Sequence, residues 1–370
     1  MTNSIKKKLL FITKSLGYSI LSLLHGKIRG IINGADHDYV QILKTVLDKN
    51  YSYKIFRIKN CRIYTDTVTD TAFIVENKII SGPSFQHRDQ FKNPKNVEAS
   101  ENIVFQKGTP KFKKNLKGSV FSLLTGGGGN SNYWHWLFDV LPRLKILESK
   151  INLKEINFFL FPDIQEKYQI ESLDLLNIPS EKRISSKIFR HTQVDTAIAV
   201  DHPYVMNNDA SHEIQNLPKW ILDFLRDKFL NNIINKKLPN KFYIDRRDSK
   251  SNHSHLRKIN NEQEVKDFLV KKGFSIIALT DLSFNEQVNL FSKAEHVVGL
   301  HGAGFANLTF CNPGTRVLEL KPDGAGSVIE NLAKKIQLNY NDISIKPNDF
   351  SYNQQGSINI PLSVLEKKIS

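Results

Sequence analysis

Residues 295–320, EHVVGLHGAGFANLTFCNPGTRVLEL, decide the fold class of this 370-residue chain. The apolar run 296–299 reads as a buried strand, and Gly299, Gly302 and Gly304 crowd the turn after it. Residues 303–310 read as a short helix and residues 316–320 as a second strand carrying Glu319 near its end. Glycines at a strand-to-helix junction let backbone approach a ligand closely, and a helix N-terminus offers N–H groups with positive dipole character. An acid at the carboxyl end of the next strand can take ribose hydroxyls. The stretch therefore reads as a grip on a nucleotide diphosphate, with His301, Gly302, Ala303, Gly304 and Asn307 at the turn and Glu319 on the ribose. A tight glycine turn without a ligand is the plain alternative.

Outward from this stretch, strands and helices alternate from residue 241. Strands are expected at 242–244, 274–278, 296–299 and 316–320, and helices at 262–271, 285–293, 303–310 and 328–336. That alternation specifies an α/β fold with a parallel sheet covered on both faces. Right-handed crossovers bring all strand carboxyl ends to one edge, where ligands bind; Arg246, Arg247, Gly302 and Glu319 fall there. Either arginine can neutralise a departing diphosphate, although DRRD at 245–248 also fits surface ion pairing. Upstream, residues 217–234 read as a bridging helix, 164–176 as a helix and 158–161 and 197–200 as strands. Residues 51–125 look β-rich but irregular, in short runs such as 62–64. The expected division is a basic amphipathic segment (1–30), an N-terminal α/β domain (31–215), a linker helix (216–240), a Rossmann-like domain (241–345) and a tail (346–370).

Hydrophobic residues make up 40% of the chain, enough for a sizeable core. Two cysteines, Cys61 and Cys311, exclude a disulfide framework and a cysteine metal cluster, and a reducing cytoplasm is the simplest setting. The net charge of +15 favours anionic partners, but the basic residues are spread throughout without an interleaved aromatic motif, which argues against nucleic acid. No run of about 18 clean apolar residues suggests a transmembrane helix. Leu9, Ile12, Leu16, Ile20 and Leu23 recur at helical spacing behind Lys6, Lys7 and Lys8. Residues 5–24 thus read either as a helix on an anionic membrane surface or as a terminal helix packed on its own domain. No small-residue cleavage site follows, so a signal peptide is a poor fit.

The second constellation is 125–144, TGGGGNSNYWHWLFDVLPRL. A glycine loop including Gly128 and Gly129 leads through Asn132, a capping candidate, into an almost wholly apolar helix at 133–141. His135 and Asp139 are four apart on one face of it, and Arg143 continues that face beyond Pro142. Polar groups on a buried helix are costly unless satisfied or used. Used, Asp139 orients a basic His135, or is itself the base; otherwise the pair is structural, joined to Arg143. Asp36-His37-Asp38 lacks the strand-then-loop context of a metal–nucleotide site and is set aside, and no HExxH, EF-hand or CxxC signal occurs.

Together, NYWHWLFDVLPRL, FYIDRRD, INNEQEV and LSFNEQVNLFSKAEHVVGLHGAGFANLTFCNPGTRVLEL resemble glycosyltransferase family 61 over residues 120–335. The resemblance implies a GT-B-type fold, with two Rossmann-like domains facing across a cleft, and inverting transfer from a nucleotide sugar with no cofactor and no obligatory metal. Bacterial members are associated with capsular polysaccharide or lipopolysaccharide biosynthesis, so a glycan or lipid-linked saccharide acceptor is expected. The implied base is His135 or Asp139, the diphosphate site is Gly302–Gly304 with Arg246 or Arg247, and the acceptor side is Gly128, Gly129, Asn132 and Arg143. Rival readings are an NAD-dependent oxidoreductase using the GAGFAN turn and a non-catalytic nucleotide- or polyanion-binding protein.

Overall fold

The computed structural model describes residues 13–370 except residues 14, 16, 18, 22, 50, 68–69, 85, 89–94, 98, 125–131, 205–216, 233–235, 248–256 and 348–354. The chain forms two compact units, Met1–Ile164 with Ile178–Ser211, and Gln165–Asn177 with His212–Ser370.

The first unit is built on one mixed sheet whose longest strand is Tyr51–Thr67. Tyr53 and Ile55, then Phe56 and Ile58, are buried while Lys54, Arg57 and Lys59 face water, a period of two that changes phase between Ile55 and Phe56. Asn60 takes a left-handed φ of 50° and interrupts that alternation, which is why the sequence shows only short runs here. Val40–Asp48, Asp70–Val75 and His191–Val200 pair with this strand antiparallel. From His191–Val200 onward the sheet is parallel, through Lys114–Ser122, Phe158–Phe161 and Arg183–Ser185. The sheet is thus mixed, antiparallel on one side of His191–Val200 and parallel on the other, and consistent with the α/β class. Ile58, Ile63, Phe73, Val120, Leu160 and Ala197 share its core.

The second unit carries five parallel strands: Lys241–Asp245, Ser275–Ala278, His296–Leu300, Arg316–Pro322 and Asn339–Ile345. Numbered along the chain, their order across the sheet is 2-1-3-4-5. The order reverses between Lys241–Asp245 and His296–Leu300, and doubly wound sheets bind ligands at the carboxyl ends of strands at such a switch point. Helix Glu262–Lys271 has the predicted bounds, and helix Phe284–Ser292 opens with a Ser283/Glu286 capping box.

Three segments lie elsewhere than the sequence division put them. Helix Lys167–Leu175 belongs to the second unit, where the Glu171 carboxylate accepts the Phe284 N–H. The expected linker helix, Lys219–Phe229, is part of that unit's packing: Arg226 donates to the carbonyls of Thr309 and Cys311, both at 2.7 Å, and Phe229 meets Phe284 edge-on. Beyond residue 345, strand Gly356–Ile358 pairs with Arg257–Ile259, and helix Leu362–Ile369 delivers Leu365 and Ile369 to the core.

Two of the three glycines at 299–304, Gly299 and Gly304, are small because of packing. A Cβ at Gly299 would lie 3.1 Å from Ile244 Cβ and 3.3 Å from Phe305 Cζ, and one at Gly304 would lie 3.0 Å from Leu279 Cδ1. Gly299→Val therefore overpacks the central strand and should cost about 1–3 kcal/mol, read as a lowered thermal midpoint.

Candidate functional site

Each unit holds a buried carboxylate that engages a histidine and a tyrosine. In the first unit, Asn132 caps the apolar segment, its side-chain oxygen accepting the N–H groups of Trp134 (3.0 Å) and His135 (3.4 Å). One short turn, Tyr133–His135, then gives way to a π-helical stretch, Trp136–Val140, before helix Pro142–Glu148. The sequence suggested one continuous α-helix over 133–141. Pro142 has no N–H to give to the carbonyl four residues back, and Leu141 N bonds Trp136 O at 3.1 Å in the five-residue pattern. Such bulges are frequent at functional sites.

Around it Trp136, Leu137 and Phe138 are fully buried, and Asp139 stands among them. One of its oxygens lies 2.7 Å from His135 Nδ1, and the other accepts the Tyr204 hydroxyl at 2.6 Å. His202 Nε2 is 4.0 Å away, buried and without a hydrogen-bond partner. Arg143, wholly buried, donates through Nε to the Asp139 carbonyl oxygen at 2.6 Å. Burial alone would raise the Asp139 pKa, but the attraction and hydrogen bond of His135, with His202 and Tyr204, hold the carboxyl below its usual range. The ionised carboxylate makes Nδ1 of His135 the protonated nitrogen, so the neutral ring keeps its lone pair on Nε2.

His135 differs from its neighbours in reaching solvent: its side chain is 27% exposed against 3% for Asp139. Burial lowers its pKa, yet Asp139 outweighs that and the net shift is upward. His202, by contrast, is pushed down to about 3, chiefly by burial, and stays neutral. A basic nitrogen at the surface with a buried carboxylate behind it is an arrangement for taking a proton.

Tyr204 and His202 were not singled out in the sequence. They follow strand His191–Val200, at the carboxyl end of its parallel pairing, which is where ligands gather in such sheets. The tetrad Asp201-His202-Pro203-Tyr204 after a strand was the available signal. Gly128 and Gly129 lie outside the described residues.

In the second unit, the switch point is occupied by Arg246 and the turn after His296–Leu300. Arg246 Nη1 donates to the His301 carbonyl oxygen at 3.3 Å, and a Cβ placed on Gly302 would meet the Arg246 guanidinium at 3.6 Å. Arg247 points elsewhere: it is 61% exposed and pairs with Asp281 at 3.0 Å. Arg257 lies within electrostatic reach of Arg246: its pKa is pushed down to about 10, mainly by burial and then by repulsion from Arg246, against the attraction of Glu319. Ala303–Phe310 is a 3-10 helix, and no side chain caps it at Gly302.

Glu319 stands inside its strand, which runs to Pro322, and not at the carboxyl end. It is buried, one oxygen meeting His301 Nδ1 and the other accepting the Tyr340 hydroxyl. Those contacts hold His301 at the head of the turn and place Glu319 in the interior of the strand, away from the edge where the sequence reading put it on the ribose. Asn307 is likewise internal, donating to Gln287 Oε1 (3.1 Å) and the Gly304 carbonyl oxygen (3.3 Å). Among the described residues no group of three His, Cys, Asp or Glu side chains is placed to hold a metal ion, and no helix is long and apolar enough to cross a membrane.

The family model described as Glycosyltransferase 61 matches residues 133–318, half of the chain, and covers the whole Asp139 cluster but only His301 of the Glu319 cluster. No curated protein matches the chain.

The paired histidines give a direct test by NMR titration. His135 should titrate above its ordinary 6.5, while His202 should stay neutral down to about 3. Asp139→Asn should drop the His135 midpoint, since burial then acts unopposed. Tyr204→Phe should raise it, because a carboxylate deprived of one donor binds imidazolium more strongly.

Proposed function

We propose that this chain, which belongs to glycosyltransferase family 61, is an inverting enzyme that moves a sugar from a UDP-sugar to a glycan or lipid-linked saccharide. The product is a cell-surface polysaccharide of the capsular or lipopolysaccharide kind, built on the cytoplasmic side of the membrane. Family membership makes it a glycosyltransferase. The observation that carries the single-displacement mechanism is the His135–Asp139 pair at 2.7 Å, with His135 alone of that cluster reaching solvent.

The first unit serves the acceptor and the second the donor, a GT-B-type division of labour. The acceptor oxygen attacks the anomeric carbon as His135 Nε2 takes its proton. The bond from that carbon to the diphosphate oxygen breaks in line, and the nucleoside diphosphate leaves with the electron pair. One displacement with one base inverts the anomeric centre. Asp139 stabilises the imidazolium that forms, and Tyr204 holds Asp139; the aspartate is a positioning residue, since it is buried behind the solvent-facing His135. Charge on the departing diphosphate is met by Arg246 and by the N–H groups opening the turn at Ala303 and Gly304. This is work that divalent metals do in other transferases, and transfer is expected to persist in a chelator.

The oxidoreductase reading finds less support. A dinucleotide fingerprint wants glycine where Asn307 stands, and that asparagine is buried and bonded into the turn.

The test is incubation with a panel of sugar nucleotides and lipid-linked acceptors, with product mass and anomeric configuration as readouts. A single inverted product is expected. His135→Ala should lose about 10²–10⁴-fold in kcat with donor affinity kept. Arg246→Ala should lose about 10²–10³-fold, whereas Arg247→Ala should stay near wild type. No product from any donor contradicts the reading and favours a non-catalytic binding protein, whereas full activity in His135→Ala contradicts the assignment of His135 as the base.

A further inference from the structure

The first unit holds apolar side chains out in water, at a place that its own buried groups fix. Residues 19–21 and 23–25 are helical, and Leu23 and Leu24 are 81% and 73% exposed. Phe112, also 81% exposed, belongs to a loop fastened to the end of that helix. His25 Nε2 lies 3.1 Å from the Lys111 carbonyl oxygen, next door to Phe112. Arg62, buried on the long strand, donates through Nη1 to the His25 carbonyl oxygen (3.0 Å) and to Thr109 Oγ1 (3.4 Å). His191 completes the fastening: its Nδ1 lies 2.9 Å from the same Lys111 oxygen, and its ring meets that of His25 edge-on at 4.5 Å. A buried arginine and two histidines thus anchor two segments far apart in sequence, leaving their apolar tips facing outward.

Charge says what covers those tips. Residues 1–35 contain five lysines, one arginine and no acid, and residues 103–118 contain five lysines and no acid. Lys27, Arg29, Lys113 and Lys117 are exposed within a few residues of the tips. Leucine and phenylalanine at the centre with lysine around them fit the boundary of a bilayer, where apolar tips enter the acyl region and ammonium groups meet lipid phosphates. A protein partner would need acids placed to answer these cations; anionic lipid supplies them everywhere on its surface.

We propose that this face, centred on Leu23, Leu24 and Phe112, docks the enzyme on an anionic membrane. The Phe112 loop is as much a part of the docking surface as the N-terminal helix. No residue of either carboxylate cluster lies in it, so the proposal stands or falls apart from the glycosyl-transfer reading and is tested without sugar nucleotide.

The test is sedimentation of the full chain with vesicles of phosphatidylcholine alone and of phosphatidylcholine with phosphatidylglycerol. Wild type should pellet with the anionic vesicles and not the neutral ones, and added salt should release it. The triple variant Leu23→Ser, Leu24→Ser, Phe112→Ser should lose about tenfold or more in vesicle affinity at an unchanged thermal midpoint. Phe112→Ser alone should fall between, which a surface made by the helix alone would not show. Equal pelleting of the triple variant and wild type, pelleting indifferent to lipid charge, or no pelleting of wild type each overturns the proposal. So does a vesicle-free dimer in analytical ultracentrifugation that the triple variant disperses, which would make the face a contact between copies of this chain.

Discussion

A charge buried in hydrocarbon is the constraint on which the first unit's chemistry depends. Asp139 is 2% exposed among Trp136, Phe138 and Val140, and its oxygens meet His135 and Tyr204. Leaving such a charge unpartnered costs about 3–5 kcal/mol, so the fold holds its partners closely. That requirement explains the local backbone. Asn132 caps, the π-helical stretch sets the pitch, Pro142 restarts the helix and Arg143 returns to the Asp139 carbonyl.

The second unit repeats the device to another end. Glu319 holds His301 and Tyr340 much as Asp139 holds His135 and Tyr204. The difference is access: the His301 side chain is only 5% exposed. Where the histidine is open it can exchange a proton with a substrate; where it is closed it fastens the turn that carries Gly302 beneath Arg246. On the proposed reading, similar chemistry yields a base in one place and a scaffold in the other, and exposure decides which.

Much of the second unit was legible, because its strands are apolar, short and separated by helices of ordinary length. His135 and Asp139 were legible as polar residues four apart in a run of aromatics. Arg246 could not be told from Arg247 without coordinates, since adjacent side chains diverge and only one lies over Gly302. Tyr204 and His202 escaped because they approach Asp139 from a strand more than fifty residues away along the chain, and pairing across a sheet leaves no local periodicity. The place of Glu319 in its strand was misread for a related reason. Its strand extends two residues beyond the apolar run, which moves the acid from the strand's end into its interior.

The pH dependence of kcat/KM for sugar transfer tests the central claim most directly, compared between wild type and Asp139→Asn. With His135 as the base and Asp139 behind it, wild-type activity should fall on the acid side through a midpoint above 6.5, following the raised imidazole. In the variant the residual activity should fall through a lower midpoint. An acid limb identical in the two proteins would show that the proton of the acceptor goes elsewhere.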